Sequence, residues 1–155
     1  MRRLVIPFSR VLVSAPQDLV GVRAAAGKFA RILRVWVAGV DQTLPVACDL
    51  ALAMAFLSPT VIPGSGGSNN PPQLLDQGDG SPQSTAWQNA TTPASTSGSL
   101  KVLWPSGCHI YQGLDLSFPE PLAAQNGEAW VFSLLGAPAS AAFLSGGMLI
   151  EEIGA

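Results

Sequence analysis

Charge is scarce in this chain. Asp, Glu, Lys and Arg make up 12% of its residues, against about 25% in an ordinary soluble domain. A surface with so few charges presents neutral and apolar groups, and such surface usually ends up against another chain. Histidine occurs once, as His109, and cysteine twice, as Cys48 and Cys108. That leaves too few donors for a zinc site built on several Cys and His ligands. The cysteines match no metal-ligand spacing. They can pair only if the fold brings them together, and two buried free thiols is the first reading. Long apolar runs are also missing. The best attempt, "LALAMAFL" at 50–57, follows Asp49 and is far short of the roughly 18 residues that a membrane span requires. The start, "MRRLVIPFSRVLVSA", has the outline of a signal peptide, but Pro7 and Arg10 interrupt its apolar run. It reads as a strand of the mature protein.

The charge that is present is uneven. Arg2, Arg3, Arg10, Arg23, Lys28, Arg31 and Arg34 all precede position 35, with Asp18 as the one acid among them. The other nine acids follow, with Lys101 alone for company. Two readings stand. Either the basic residues are scattered over strands that face different ways, or they form a basic edge for an acidic partner surface, such as the acidic half of a sibling subunit. On the second reading Arg2, Arg3, Arg10, Arg31 and Arg34 are partner contacts. Nucleic acid is not expected, because the basic residues are interleaved with apolar ones and the net charge is −2.

What the chain does have is strand signals. "LVIPFSRVLV" (4–13), "LVGVRA" (19–24) and "FARILRVWVAGV" (29–40) are rich in β-branched residues. In the last, strict alternation puts Phe29, Arg31, Leu33, Val35 and Val37 on one face and Ala30, Ile32, Arg34 and Trp36 on the other. Both faces carry large apolar groups, so cover is expected on both sides. "LALAMAFL" reads as a strand rather than a helix, because Pro59 stops it early. "LKVLW" (100–104), "CHIY" (108–111), "LDLSF" (114–118) and "AWVFSLL" (129–135) follow. "AFLSGGMLIEEI" (142–153) is expected to bulge or bend at Gly146-Gly147. Eight or nine short strands with turns between them indicate an all-β antiparallel sandwich, jelly-roll-like, forming one domain over 1–155.

Residues 58–99 are Pro/Gly/Ser-rich and hold two acids, Asp76 and Asp79, and no Lys or Arg. Val61, Ile62, Leu74, Leu75 and Trp87 punctuate this segment. A connection this long needs a function, and its apolar residues imply docking. It is expected as an extended loop or arm lying on a neighbouring protein. "QSTAWQNAT" (83–91) within it reads as an edge strand, with Trp87 exposed as a contact.

No reactive constellation emerges. Cys108 and His109 are adjacent in a strand and point to opposite faces, which argues against a Cys–His pair. "DQGDG" (76–80) lacks the ligands of a calcium loop and reads as a turn. No catalytic residue, metal or cofactor is expected. The four tryptophans either fill the core or an interface, or form a sugar-stacking platform.

Taken in order, "VLVSAPQDLVGVRAAAGK", "PGSGGS", "TAWQNATT" and "LLGAPASAAFLSGGMLIEE" resemble small β proteins encoded among the virion structural genes of tailed bacteriophages, including capsid decoration (cement) proteins. The resemblance implies a jelly-roll-like subunit, commonly a trimer, on the capsid surface of the virion. There it would brace the major capsid protein lattice, after a cytoplasmic stage in the host during assembly. It implies no catalytic residues and no membrane. A receptor- or carbohydrate-binding module of a head fibre or tail is the rival expectation. A hydrolase using His109 beside a carboxylate is another.

Overall fold

The β-branched runs form strands throughout, and the described residues contain no helix. The structure is a computed structural model and describes residues 1–40, 48–69 and 71–154. The strands are β1 (Arg2–Val13), β2 (Gln17–Arg23), β3 (Lys28–Val40), β4 (Asp49–Ser58), β5 (Val61–Ile62), β6 (Gln73–Leu74), β7 (Thr85–Ala90), β8 (Ser95–Thr96), β9 (Ser99–His109), β10 (Leu114–Gln125), β11 (Ala129–Leu134) and β12 (Ala142–Gly154). Two five-stranded sheets result. The first has the order β10-β3-β12-β1-β6 and the second β7-β2-β11-β4-β9, with a β5-β8 ribbon beside them. Without β5 to β8, eight strands remain. The first sheet then pairs the first, last, third and sixth of them, and the second sheet pairs the second, seventh, fourth and fifth. That is the connectivity of a jelly roll, as expected.

The main core lies between the sheets. Leu4, Ile6, Ile32, Leu52, Phe132 and Ile150 are among its fully buried side chains. Several strands reach this core only because bulges reset their alternation. In β1, one residue more than in β12 lies between Phe8 and Val11. Leu4, Ile6 and Phe8 therefore face inward before the bulge, and Val11 and Val13 after it. In β3 the extra residue is Leu33, so Ala30 and Ile32 point inward and then Val35 and Val37 do. The expectation of two large apolar faces on β3 is thus corrected. A one-residue slip exchanges the faces, so Ala30 and Ile32 of one set and Val35 and Val37 of the other line one core, while Phe29 stays exposed. Gly146-Gly147 pairs in register with both neighbours, and the shift just past Gly146 has its extra residue in β1. A Cβ at Gly146 would stand 2.1 Å from the Trp36 carbonyl oxygen and 2.8 Å from the Phe8 ring. Gly146 permits this close approach and makes no bulge in β12.

The 58–99 segment also departs from expectation, because it folds back onto its own sandwich. β7 extends the second sheet beside β2, and β6 extends the first beside β1. A second, smaller core forms on the outer face of the second sheet from Leu57, Val61, Trp87, Ala90, Ala129 and Val131. Two buried carboxylates hold the segment down. Asp18 accepts hydrogen bonds from the Trp87 indole N–H (3.1 Å), the Ala94 amide (2.7 Å) and the Ser133 hydroxyl (2.9 Å). Glu152 accepts from the Ser84 amide (2.6 Å) and hydroxyl (2.7 Å) and from the Gln83 amide (3.1 Å). Charge-assisted bonds of this kind are about twice as strong as neutral ones.

Trp87 lies flat over Gly21, its partner across the β2–β7 ladder. A Cβ at Gly21 would meet indole carbons at 2.2 Å. Gly21→Ala is therefore expected to lower stability by about 1–3 kcal/mol, the usual cost of overpacking. Urea unfolding followed by tryptophan fluorescence checks this, and an unchanged midpoint would show that Trp87 is not held there.

Candidate functional site

Four of the arginines expected to meet a partner, Arg2, Arg3, Arg31 and Arg34, lie on the first sheet and face acids of their own chain. Arg2 Nε is 3.3 Å from the Glu152 carboxylate, and its guanidinium also donates to the carbonyls of Gly80 (2.7 Å) and Ser81. Arg3 and Arg31 flank Glu151 at 3.6 and 3.9 Å. Arg34 holds Asp115 through two N–H donors, which keeps that carboxyl below its ordinary range although burial opposes the shift. Both members of that last pair are largely exposed, so it adds little stability. Arg10 sits at the β1 bulge with φ +50°. Its amide donates to the Ser145 hydroxyl at 2.9 Å, and its guanidinium lies over the Phe143 ring. The early basic residues and late acidic residues therefore meet within one sheet, where β1 and β3 both flank β12.

Trp87 is not exposed. Its relative exposure is 1%, which corrects the expectation of a surface contact or stacking platform there. The exposed indole is Trp104, at 41%. It packs edge-on against Phe118 (5.6 Å between centroids) and tilted against Trp130 (6.5 Å), with Phe56 behind Trp130. This aromatic group fills the gap between the sheets on the side bounded by β9 and β10.

On that side the sandwich is open-edged. Among the described residues β9 pairs with β4 alone, so one edge of its backbone carries no strand. A bulge at Leu103 divides the strand. Leu100 and Val102 share the outer face with Leu57 and Ala55, and Trp104 follows Met54 inward. Leu100 (59%), Val102 (45%) and Leu103 (46%) are all substantially exposed. Beside them an apolar groove of about 180 Å³ runs between Pro93 and Ala94 of the folded-back segment and Leu134 and Leu135. A bare strand edge bordered by apolar side chains is a template for another chain. Sequence reasoning placed strands at "LKVLW" and "CHIY" but did not single out this edge. The available signal was the lack of alternation in "LKVLW" and the proline that follows it, since proline in a strand marks an edge.

Cys48, Asp49, Cys108 and His109 lie at one end of the β4–β9 ladder. His109 Nδ1 accepts the Tyr111 amide N–H at 3.4 Å, and the two rings are 5.1 Å apart. Asp49 is its partner across the β4–β9 ladder. Cys48 and Cys108 are free, half-buried thiols, and Cys108 packs against the core. Burial, and then the charge of Asp49, push the Cys108 thiol up. Among the described residues no group of three or more His, Cys, Asp or Glu is placed to hold a metal ion. "DQGDG" is the turn expected, with Asp76 accepting the Gly78 amide at 2.9 Å.

The described buried acid with a raised pKa is Asp18, pushed above its ordinary value of 3.8 by desolvation, against the pull of its three hydrogen bonds. The folded state thus holds this proton more tightly than the unfolded chain does. The resulting stabilisation is full below pH 3.8 and is lost as pH rises through the folded pKa. Asp18→Asn removes this dependence while keeping an oxygen acceptor for Trp87 and Ala94. The urea midpoint of the Asp18→Asn variant, relative to that of the native protein, is expected to be higher at neutral pH than near pH 4. A constant offset between the two would sink this account.

No protein-family model, curated protein or solved structure matches the chain.

Proposed function

We propose that this protein is a non-enzymatic virion structural subunit, a capsid decoration (cement) protein that stabilises the major capsid protein lattice of a tailed phage. One observation carries the reading: a β-sandwich whose β9 edge carries no strand among the described residues and is bordered by Leu100, Val102, Leu103 and Trp104. Exposed apolar edges are a liability in a free monomer. A subunit that lives in an assembly covers them with its neighbours. The low charge content and the resemblance of "VLVSAPQDLVGVRAAAGK" and "LLGAPASAAFLSGGMLIEE" to virion structural proteins favour the same reading.

The subunit is proposed to act as a homo-oligomer, with a trimer as the expected state, seated on the capsid surface after assembly in the host cytoplasm. Contact would come from strand addition at β9 and from the adjoining groove, with aromatic and aliphatic anchors contributing most. Arg3, Arg31 and Arg34 keep about half their side-chain surface. They are proposed as partner contacts on the outer face of the first sheet, away from β9, where charge would affect on-rate more than affinity.

The double substitution Val102→Lys, Leu103→Lys puts like charges along the bare edge. Sedimentation velocity is expected to show an oligomer for the native chain and a monomer for the variant. The variant should stay folded, with an unchanged β-sheet circular dichroism spectrum, and the native midpoint alone should rise with protein concentration, because association stabilises the folded chain. Mass spectrometry of purified particles from the encoding genome should find the chain in many copies. A monomeric native chain that is absent from particles would overturn the proposal.

A further inference from the structure

We infer that the cleft around Arg23 binds an acidic sugar, a saccharide carrying one carboxylate. Arg23 ends β2 and faces outward between Thr85 of β7 and Ala129 of β11. Arg2, Arg3, Arg31 and Arg34 each lie within 4.0 Å of a carboxylate of this chain. Arg23 has no such partner among the described residues. Its one described bond is a long N–H donation to the Val61 carbonyl at 3.5 Å. A guanidinium has five N–H donors in a rigid fork, so most of this one's capacity is not taken up by described acceptors of the chain, and the residue lines the cleft. A half-buried cation without a carboxylate partner, on a chain this poor in charge, suits a ligand carboxylate held bidentately.

Hollows of about 370 and 350 Å³ open on either side of Arg23. Among the described residues no Asp or Glu lines either one. Two carboxylates contact lining residues, Asp18 through the Trp87 indole and Glu152 through Gln83 and Ser84, and Asp18 is also taken up by the Ala94 amide and the Ser133 hydroxyl. Glu152 is engaged as well, by Arg2 at 3.3 Å and by the Ser84 amide and hydroxyl. The polar walls are neutral amides and hydroxyls, with Asn69 and Thr85 on one side and Gln83 and Asn126 on the other. Pro63 and Pro71 supply apolar surface. Neutral amides and hydroxyls complement the hydroxyls of a sugar ring, and the guanidinium selects a ring that bears an acid. The volumes fall within the roughly 300–1,000 Å³ of small-ligand sites. Trp87 forms part of the floor but does not stack on the ligand, since its ring is buried and its N–H is committed to Asp18.

The test is a nuclear magnetic resonance titration of the intact chain with glucuronate, glucose, acetate and sulfate, following the Arg23 Nε–H resonance. Glucuronate is expected to shift that resonance saturably. Glucose lacks the acid, and acetate and sulfate lack the ring. Each is expected to bind at least about tenfold more weakly, a difference of ~1.4 kcal/mol. Arg23→Gln should lose about tenfold in glucuronate affinity at an unchanged thermal midpoint, and Arg23→Lys should lose less. Three results would each overturn the inference: no saturable shift with glucuronate, acetate or sulfate binding as tightly as glucuronate, or full affinity in Arg23→Gln. The native-chain comparisons decide the matter even if a variant folds poorly. None of them involves a virion, so the outcome is independent of the decoration role.

Discussion

Much of this structure depends on the contact of the Trp87 ring with the bare backbone at Gly21, with Asp18 beneath the indole N–H. The contact requires a glycine on β2, a tryptophan on β7, and an acid whose burial three donors offset in part. Burying a carboxylate is costly unless its oxygens are bonded. Here the bonds come from β7, from Ala94 in the folded-back segment and from β11. One buried group thus ties a long connection to the sandwich at several points. Glu152 does the same at the other sheet, through Ser84 and Arg2. A connection of this composition has too little apolar content to fold alone. It is ordered by the sandwich against which it lies.

This arrangement makes the two sides of the sandwich unequal. On the side of β1 and β2, the folded-back segment adds β7 along β2 and the two-residue β6 against Leu4 and Val5 of β1. On the side of β9 and β10 nothing comparable is added among the described residues. Trp104 and Phe118 plug the gap between the sheets there, and β9 is left with an open edge. The apolar surface implied by the low charge content is therefore concentrated in part beside an unpaired backbone edge. That coincidence makes the edge a more specific candidate for contact than scattered apolar residues would be.

The charge asymmetry along the sequence brings opposite charges together within the chain. β1 and β3 both flank β12, so early arginines stand beside late glutamates. Arg3, Glu151 and Arg31 form a row across three strands. Arg23 lies at the end of β2 in the other sheet, beyond the reach of that row. Its isolation follows from topology, and the same topology brings the neutral clefts to its side.

The sequence by itself determined the fold class. Alternating and β-branched runs, broken by turn residues, specify a strand-built sandwich, and "QSTAWQNAT" was readable as an edge strand because its periodicity and flanking prolines are local signals. The adjacency of Cys108 and His109 was enough to separate them onto opposite faces. Only the tertiary structure decided the rest. The bulges at Leu33 and between Phe8 and Val11 exchange faces in mid-strand, and alternation alone cannot reveal an extra residue, because the partner strand defines it. The burial of Trp87, the pairing of Arg34 with Asp115 across 81 positions of sequence and the open edge of β9 are all long-range outcomes. Each depends on which strands become neighbours, a choice made by the packing of the whole core.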